Sequence, residues 1–233
     1  MSGCVVPVEV FKQLLKSGQW VLPMVFLVAA APTEISPMVY KALQKLMDGN
    51  ERDIAAKLTH SHQSPERRTE AAKGQHPFAV IVGRSDSRVS PEIIFDQAIG
   101  DLFVIRVASN IVDDLALGSI EYATEHLGAQ LIVVLGHERC GAVEATVKGT
   151  EAAGHIGSLV EAIRPAVDKV RKQPGDLLDN AIKSNVKMIV QKLRSSKPIL
   201  EKLVKKGTLK IVGARYDLDD GTVEIVSQSK STE

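Results

Sequence analysis

Three short runs, "FAVIVG" (78–83), "LFVIRV" (102–107) and "LIVVL" (131–135), are apolar almost without a break, and each is followed by a segment with helical spacing. A strand with one wet face alternates apolar and polar residues. Continuous Val/Ile/Leu runs belong instead to strands covered on both faces, which is how parallel sheets are built. The fold class is therefore α/β, a mainly parallel β-sheet flanked by helices. With 233 residues, 44% of them hydrophobic, the chain is long enough for one sizeable core.

The remaining elements follow from start and stop signals. Ser36 and Pro37 take the N-cap and first helical positions, apolar residues recur at Val39, Leu43, Leu46 and Met47, and Gly49 is read as the end of that helix. The polar stretch 50–75 has no assignable pattern. Further helices are predicted at 158–171, 177–194 and 198–206, the last bounded by Pro198 and Gly207. A final strand at 208–213 leads into "YDLDDGTVEIV", where Asp220-Gly221 marks a C-terminal hairpin.

The N-terminus reads differently. Lys12 and Lys16 precede an apolar run, Trp20 to Ala31, that passes into small residues, the layout of a secretory signal peptide. The run is too short to span a bilayer, so the mature chain is expected to have no membrane span. Residues 1–30 are read as the signal peptide and 31–233 as a single exported domain, periplasmic or extracellular. The expected result of N-terminal sequencing is a mature chain that starts near Ala31 rather than at Met1 or Ser2. The alternative is a cytoplasmic protein with an N-terminal helix interrupted at Pro23.

Composition excludes several classes. The net charge of +1, with Lys and Arg spread along the chain, provides no basic field for nucleic acid. Two cysteines, Cys4 and Cys140, exclude a disulfide framework and a paired-thiol zinc module.

In parallel sheets, ligands bind outside the carboxyl ends of the strands. Two such ends carry reactive residues: Arg84-Ser85-Asp86-Ser87-Arg88 after the first apolar run, and Gly136-His137-Glu138-Arg139-Cys140-Gly141 after the third. His137 and Cys140, leaving a strand for a helix, can turn toward one metal ion, although that spacing alone is unspecific. Asp86 and Arg88 match as a carboxylate and a fixed fork of donors. A plain ion pair capping the turn accounts for them equally well.

From Ser36 to Val226 the chain resembles the β-class carbonic anhydrases, with "SDSRVSPEIIFDQ", "GDLFVIRVASN", "ALGSIEYATEHLGAQLIVVLGHERCGAV" and "IVGARYDLDDGTVEIV" in family order. The resemblance implies reversible hydration of CO2 to bicarbonate at a zinc ion, on a mostly parallel sheet assembled as a homodimer or a dimer of dimers. It further implies His137 and Cys140 as zinc ligands, and Asp86 and Arg88 as the pair gating the metal's fourth position. Asp86 itself ligates zinc in the family's closed, inactive state.

One position departs from the pattern. The family's motif is Cys-x-Asp-Ser-Arg, and its cysteine falls on Arg84. A thiolate donates electron density to Zn²⁺, whereas a guanidinium offers only donors and keeps its charge. Two unit charges about 4 Å apart repel by about 4 kcal/mol at an effective dielectric near 20. An inward Arg84 is expected to expel the ion and to form, with Arg88, a cationic pocket for bicarbonate or another small anion, or else to leave the chain as a non-catalytic scaffold subunit, alone or in a mixed oligomer. Zinc remains compatible if Arg84 turns outward and Asp86, His137 and Cys140 serve as ligands, or if another ligand is brought in. Ser109, where the family usually has Gly, is expected to narrow the pocket.

Gln97, with Phe95, falls where the family's pocket is lined, and a helix face in a subunit interface is the other reading. His60, His62 and His76 read as surface residues. His126 suits a helix C-terminus before Gly128, and His155 reads as packing or capping.

Overall fold

A computed structural model describes residues 36–149 and 152–227; the signal-peptide reading of residues 1–30, and Cys4, lie outside them. Helix α1 (Pro37–Ile54) starts as read, with the Ser36 hydroxyl accepting from the Met38 amide and Pro37 in the first turn. It does not stop at Gly49. Gly49 is buried inside α1, where a Cβ would lie 1.8 Å from the Phe95 carbonyl oxygen, so the glycine permits a close approach rather than ending the helix. The next residue, Asn50, donates to the carbonyls of Ile94 (3.2 Å) and Gly221 (2.8 Å) and accepts from the Val223 amide (3.0 Å). One buried amide thus ties α1 to two distant turns.

The stretch 50–75, unassigned from sequence, holds the end of α1 and a short helix, α2 (Pro65–Ala71). Its anchor is Asp96, which accepts from Arg52 Nε at 2.6 Å and from the Thr59 hydroxyl at 2.7 Å.

Five strands follow: β1 (Ala79–Gly83), β2 (Leu102–Arg106), β3 (Leu131–His137), β4 (Lys210–Tyr216) and β5 (Val223–Ser227). They lie in the order β2-β1-β3-β4-β5, parallel except for the antiparallel hairpin β4–β5 at Gly221. The strand expected at 208–213 starts two residues later. Thr208 and Leu209 donate to the Leu203 carbonyl and are spent closing the preceding helix.

Successive strand residues face opposite ways, so β1 and β3 feed two cores. Val80, Val82, Ile132 and Val134 pack under α4 (Asp114–Glu125), α7 (Leu177–Arg194) and α8 (Leu200–Lys205). Ala79, Ile81, Leu131, Val133 and Leu135 pack under α1 and α3 (Pro91–Ile94). Each such side chain contributes about 1.5–3 kcal/mol on burial, which is why these strands carry no polar residue before their ends. Strand β2 is an edge strand and only partly buried. A third cluster joins α5 (Gly141–Lys148) and α6 (Ile156–Val170) to α7 through Val143, Ile163, Val167 and Ile182, with Cys140 among them.

The chain runs from β1 outward to β2, then crosses back to place β3 on the other side of β1. Adjacent connections leave in opposite directions there, opening a crevice at the carboxyl ends of β1 and β3. Arg84 and the segment 137–140 emerge at that crevice.

Candidate functional site

Arg84 follows β1 directly and turns inward, with 3% of its surface exposed. Its Nε donates to Asn110 Oδ1 at 2.6 Å. Asn110 Nδ2 in turn donates to the carbonyls of Val82 (2.8 Å) and Leu135 (2.5 Å), so a single amide clamps the ends of β1 and β3 and orients the guanidinium between them. Burial pushes the Arg84 guanidinium down from its ordinary value, and neighbouring Cys140 and then Asp86 oppose the shift. The group stays charged all the same, since a guanidinium does not give up its proton in a protein. Among the described residues, neither Nη1 nor Nη2 has an oxygen or nitrogen partner; the group beside the guanidinium is the Cys140 sulfur. Leaving buried donors unsatisfied costs about 1–3 kcal/mol each, and more on a charged group.

Asp86 lies nearer the surface. It accepts from Arg88 Nε (2.9 Å), Nη2 (2.8 Å) and backbone amide (3.0 Å), a bidentate pair closed by a tight turn. Those bonds hold its carboxyl far below the usual carboxylate range, against the opposing effect of burial. The Arg88 side chain is 51% exposed, so the pair forms the outer edge of the site.

His137 is 1% exposed, at the end of β3. Its Nδ1 lies 2.6 Å from the Glu138 carbonyl, which can only accept, so Nδ1 carries the proton and Nε2 offers a lone pair. Burial and then the Arg84 charge push the imidazolium down, outweighing the Glu138 carbonyl and Asp86. Nε2 faces Asp86 Oδ2 at 3.3 Å, acceptor against acceptor, and has no hydrogen-bond partner. Cys140, the N-cap residue of α5, is buried with its sulfur 3.8 Å from the Ser109 hydroxyl. Ser109, Asn110 and Arg139, all at the crevice, adopt positive φ (64°, 57° and 46°), a conformation costly for residues with a Cβ, as do Ala56, His60, His62 and Asp96 elsewhere.

The structure thus gathers Arg84, Asp86, Arg88, Ser109, His137 and Cys140 at one crevice. Gln97 is placed apart: its Nε2 donates to the Phe95 carbonyl (2.8 Å), and it lines a separate cavity of about 580 Å³ with His60, Ile93 and Asp96. His60, His62 and His76 are exposed, with His62 Nδ1 2.8 Å from Asp101. His126 is the C-cap of α4, and His155 takes the N-cap position of α6 without a side-chain bond.

Zinc ligands 2.0–2.3 Å from the ion lie within about 4 Å of one another. Among the described residues, the one His/Cys/Asp/Glu triple whose ligand atoms converge within 4.8 Å is Glu138, Asp217 and Asp219, not Asp86, His137 and Cys140. Arginines already engage that acidic triple: Arg139 is bidentate to Asp219 (2.9 and 2.8 Å), and Arg215 pairs with Glu138 and lies 3.5 Å from Asp217. At the crevice, Asp86 is committed to Arg88, and a fixed cation lies beside His137 and Cys140. The residues present do not fit a zinc ion.

Two residues of the site were missed in the sequence. Asn110 ends "RVASN", one residue after Ser109, and carries no local signal of its role. Arg106 donates to the carbonyls of Arg84 (2.9 Å), Asp86 (2.6 Å) and Val89 (3.0 Å), holding the whole turn. Its signal was available, as a charge closing an otherwise apolar strand.

An α/β domain with a parallel sheet, a switch point between β1 and β3, and Asp-x-Arg and His-x-x-Cys segments at that point defines a narrow class. The chain belongs to the β-class carbonic anhydrase family, whose members are zinc enzymes: the family model described as carbonic anhydrase matches residues 79–223. It is 42% identical over 184 residues to carbonic anhydrase 2 of Mycobacterium tuberculosis, covering 77% of this chain and 89% of that one. With the carbonic anhydrase of Mycolicibacterium smegmatis it shares 40% identity over 190 residues, 80% and 92% of the two chains. Among solved structures, the β-carbonic anhydrase CcaA superposes with a TM-score of 0.64 at 27% identity, over 78% and 94% of the two chains. The β-carbonic anhydrase of Coccomyxa gives 0.60 at 27% identity, over 82% and 86%.

Proposed function

We propose that this chain is a carbonic anhydrase homologue in which hydration of CO2 is weak or absent, because Arg84 takes the position of a zinc-ligand cysteine and its charge takes the place of the metal. The supporting observation is the inward Arg84, 3% exposed and fixed through Nε to Asn110. Zinc through Asp86 would require that carboxylate to leave the bidentate Arg88, and Arg84 to swing out of a buried hydrogen bond. A fixed guanidinium close to a divalent cation is strongly repulsive.

The competing reading is an active enzyme, favoured by the 42% identity to a protein named carbonic anhydrase 2. Metal analysis together with a CO2 hydration assay on the purified wild-type protein separates the two. The expected result is well under one zinc per chain and hydration close to the uncatalysed rate; full zinc and fast hydration would establish the competing reading.

The same preparation is expected to be a homodimer or larger by light scattering. Met38 and Tyr40 on α1, Ile93 on α3, and Leu115 on α4 are exposed apolar side chains, and among the described residues β2 has no further strand paired to its outer edge. A stable monomer at micromolar concentration would overturn that assignment.

A further inference from the structure

Among the described residues, three buried polar atoms at the crevice make no hydrogen bond to oxygen or nitrogen: Arg84 Nη1 and Nη2, which are donors, and His137 Nε2, whose lone pair makes it an acceptor. Asp86 does not answer the guanidinium, because both its oxygens are engaged by Arg88. The Cys140 sulfur beside the guanidinium is at best a weak acceptor, so oxygen acceptors for Nη1 and Nη2 are left for a ligand to supply. A guanidinium fork matches a planar group with two coplanar oxygens, bonded in parallel.

The third atom adds a requirement. His137 Nε2 and Asp86 Oδ2 face each other at 3.3 Å, and neither carries a proton. A ligand oxygen arriving there without a hydrogen meets two lone pairs. A ligand O–H supplies the missing donor instead.

We propose that the crevice binds, without metal, a small planar monoanion bearing one O–H: two oxygens accept from Arg84 Nη1 and Nη2, and the O–H donates to His137 Nε2. Bicarbonate is the smallest oxyanion of that description. Nitrate has the same shape and charge but no hydrogen, so it satisfies the fork and fails at His137. The assignment rests on the reading that Arg84 stands in for the metal, and adds to it a ligand class and a selectivity. Ser109, 1% exposed beside Cys140, bounds the crevice and favours small ligands.

The test is thermal unfolding of the full, chelator-treated protein against sodium bicarbonate or sodium nitrate, at matched ionic strength and mildly alkaline pH, with zinc measured on the same sample. The expected result is a saturable rise in unfolding temperature with bicarbonate, at an affinity about tenfold or more above that for nitrate, since a hydrogen-bonding site rejects an analogue lacking the group it pairs with. Arg84→Met is expected to weaken bicarbonate about tenfold or more, the loss of charged hydrogen bonds. Should Arg84→Met not fold, the anion ranking on wild-type protein decides alone. Equal responses to the two anions, no saturation, or an Arg84→Met protein that binds as well as wild type would each overturn the site. Low zinc with no bicarbonate response overturns this inference and leaves the proposed function standing, whereas stoichiometric zinc before chelation overturns both.

Discussion

Arg84→Cys is expected to raise zinc content to about one per chain and CO2 hydration by about a thousandfold or more, several kcal/mol of barrier being the contribution a metal centre makes. The substitution removes a buried charge and a bulky side chain together, and supplies an anionic sulfur at the end of β1. Cys140 and the His137 Nε2 lone pair are already at the end of β3, and the Nδ1–H bond to the Glu138 carbonyl holds the ring in the ligating tautomer. Asp86 can stay with Arg88, which leaves the fourth position open, as catalytic zinc sites require. When bound, zinc supplies an acidified water at neutral pH. Zinc and activity are expected to return together, measured by metal analysis and stopped-flow hydration. Should metal return without activity, Ser109→Gly in the same background tests whether the crevice is also too narrow. An Arg84→Cys protein that folds but takes up no zinc would sink the account of position 84.

Asn110→Ala is expected to cost about 4 kcal/mol, because it orphans several buried groups at once, each worth about 1–3 kcal/mol. Those groups are the Val82 carbonyl, the Leu135 carbonyl and Arg84 Nε, at 2.8, 2.5 and 2.6 Å from the amide. Alanine must also hold φ near 57°, which asparagine tolerates better. Urea unfolding should show a lower midpoint with an unchanged slope. In an Arg84→Met background the cost should shrink, because Nε no longer needs a partner. A loss under about 1 kcal/mol in the wild-type background would mean that the clamp between β1 and β3 is not what orders this end of the sheet.

Much of the fold was legible because its signals are local. The runs at 78–83, 102–107 and 131–135 announce three strands, of which β1 and β3 are buried between layers and β2 is a partly buried edge, and the pattern of α7 at 177–194 matches its observed span. Gly49 misled because glycine has two uses, helix ending and close approach. Only the position of the Phe95 carbonyl, 46 residues away in the chain, shows which applies. The stretch 50–75 was unreadable because its order comes from Asp96, a partner in another segment.

At the site, the sequence by itself determined the chemistry: the residue types at the ends of β1 and β3, among them a permanent cation, Arg84, directly after β1. Covalent identity decides those properties, since no environment makes a guanidinium a zinc ligand. Direction was left to the tertiary structure. Whether Arg84 turns outward or inward depends on Asn110, whose side chain reaches it only because the sheet brings residue 110 to the ends of β1 and β3. The same holds for Arg106 above the turn and for the lone pair of His137 against Asp86. Hydrogen bonds act over about 3 Å, and pairings between residues 20 to 51 positions apart exist only after the strands have taken their order.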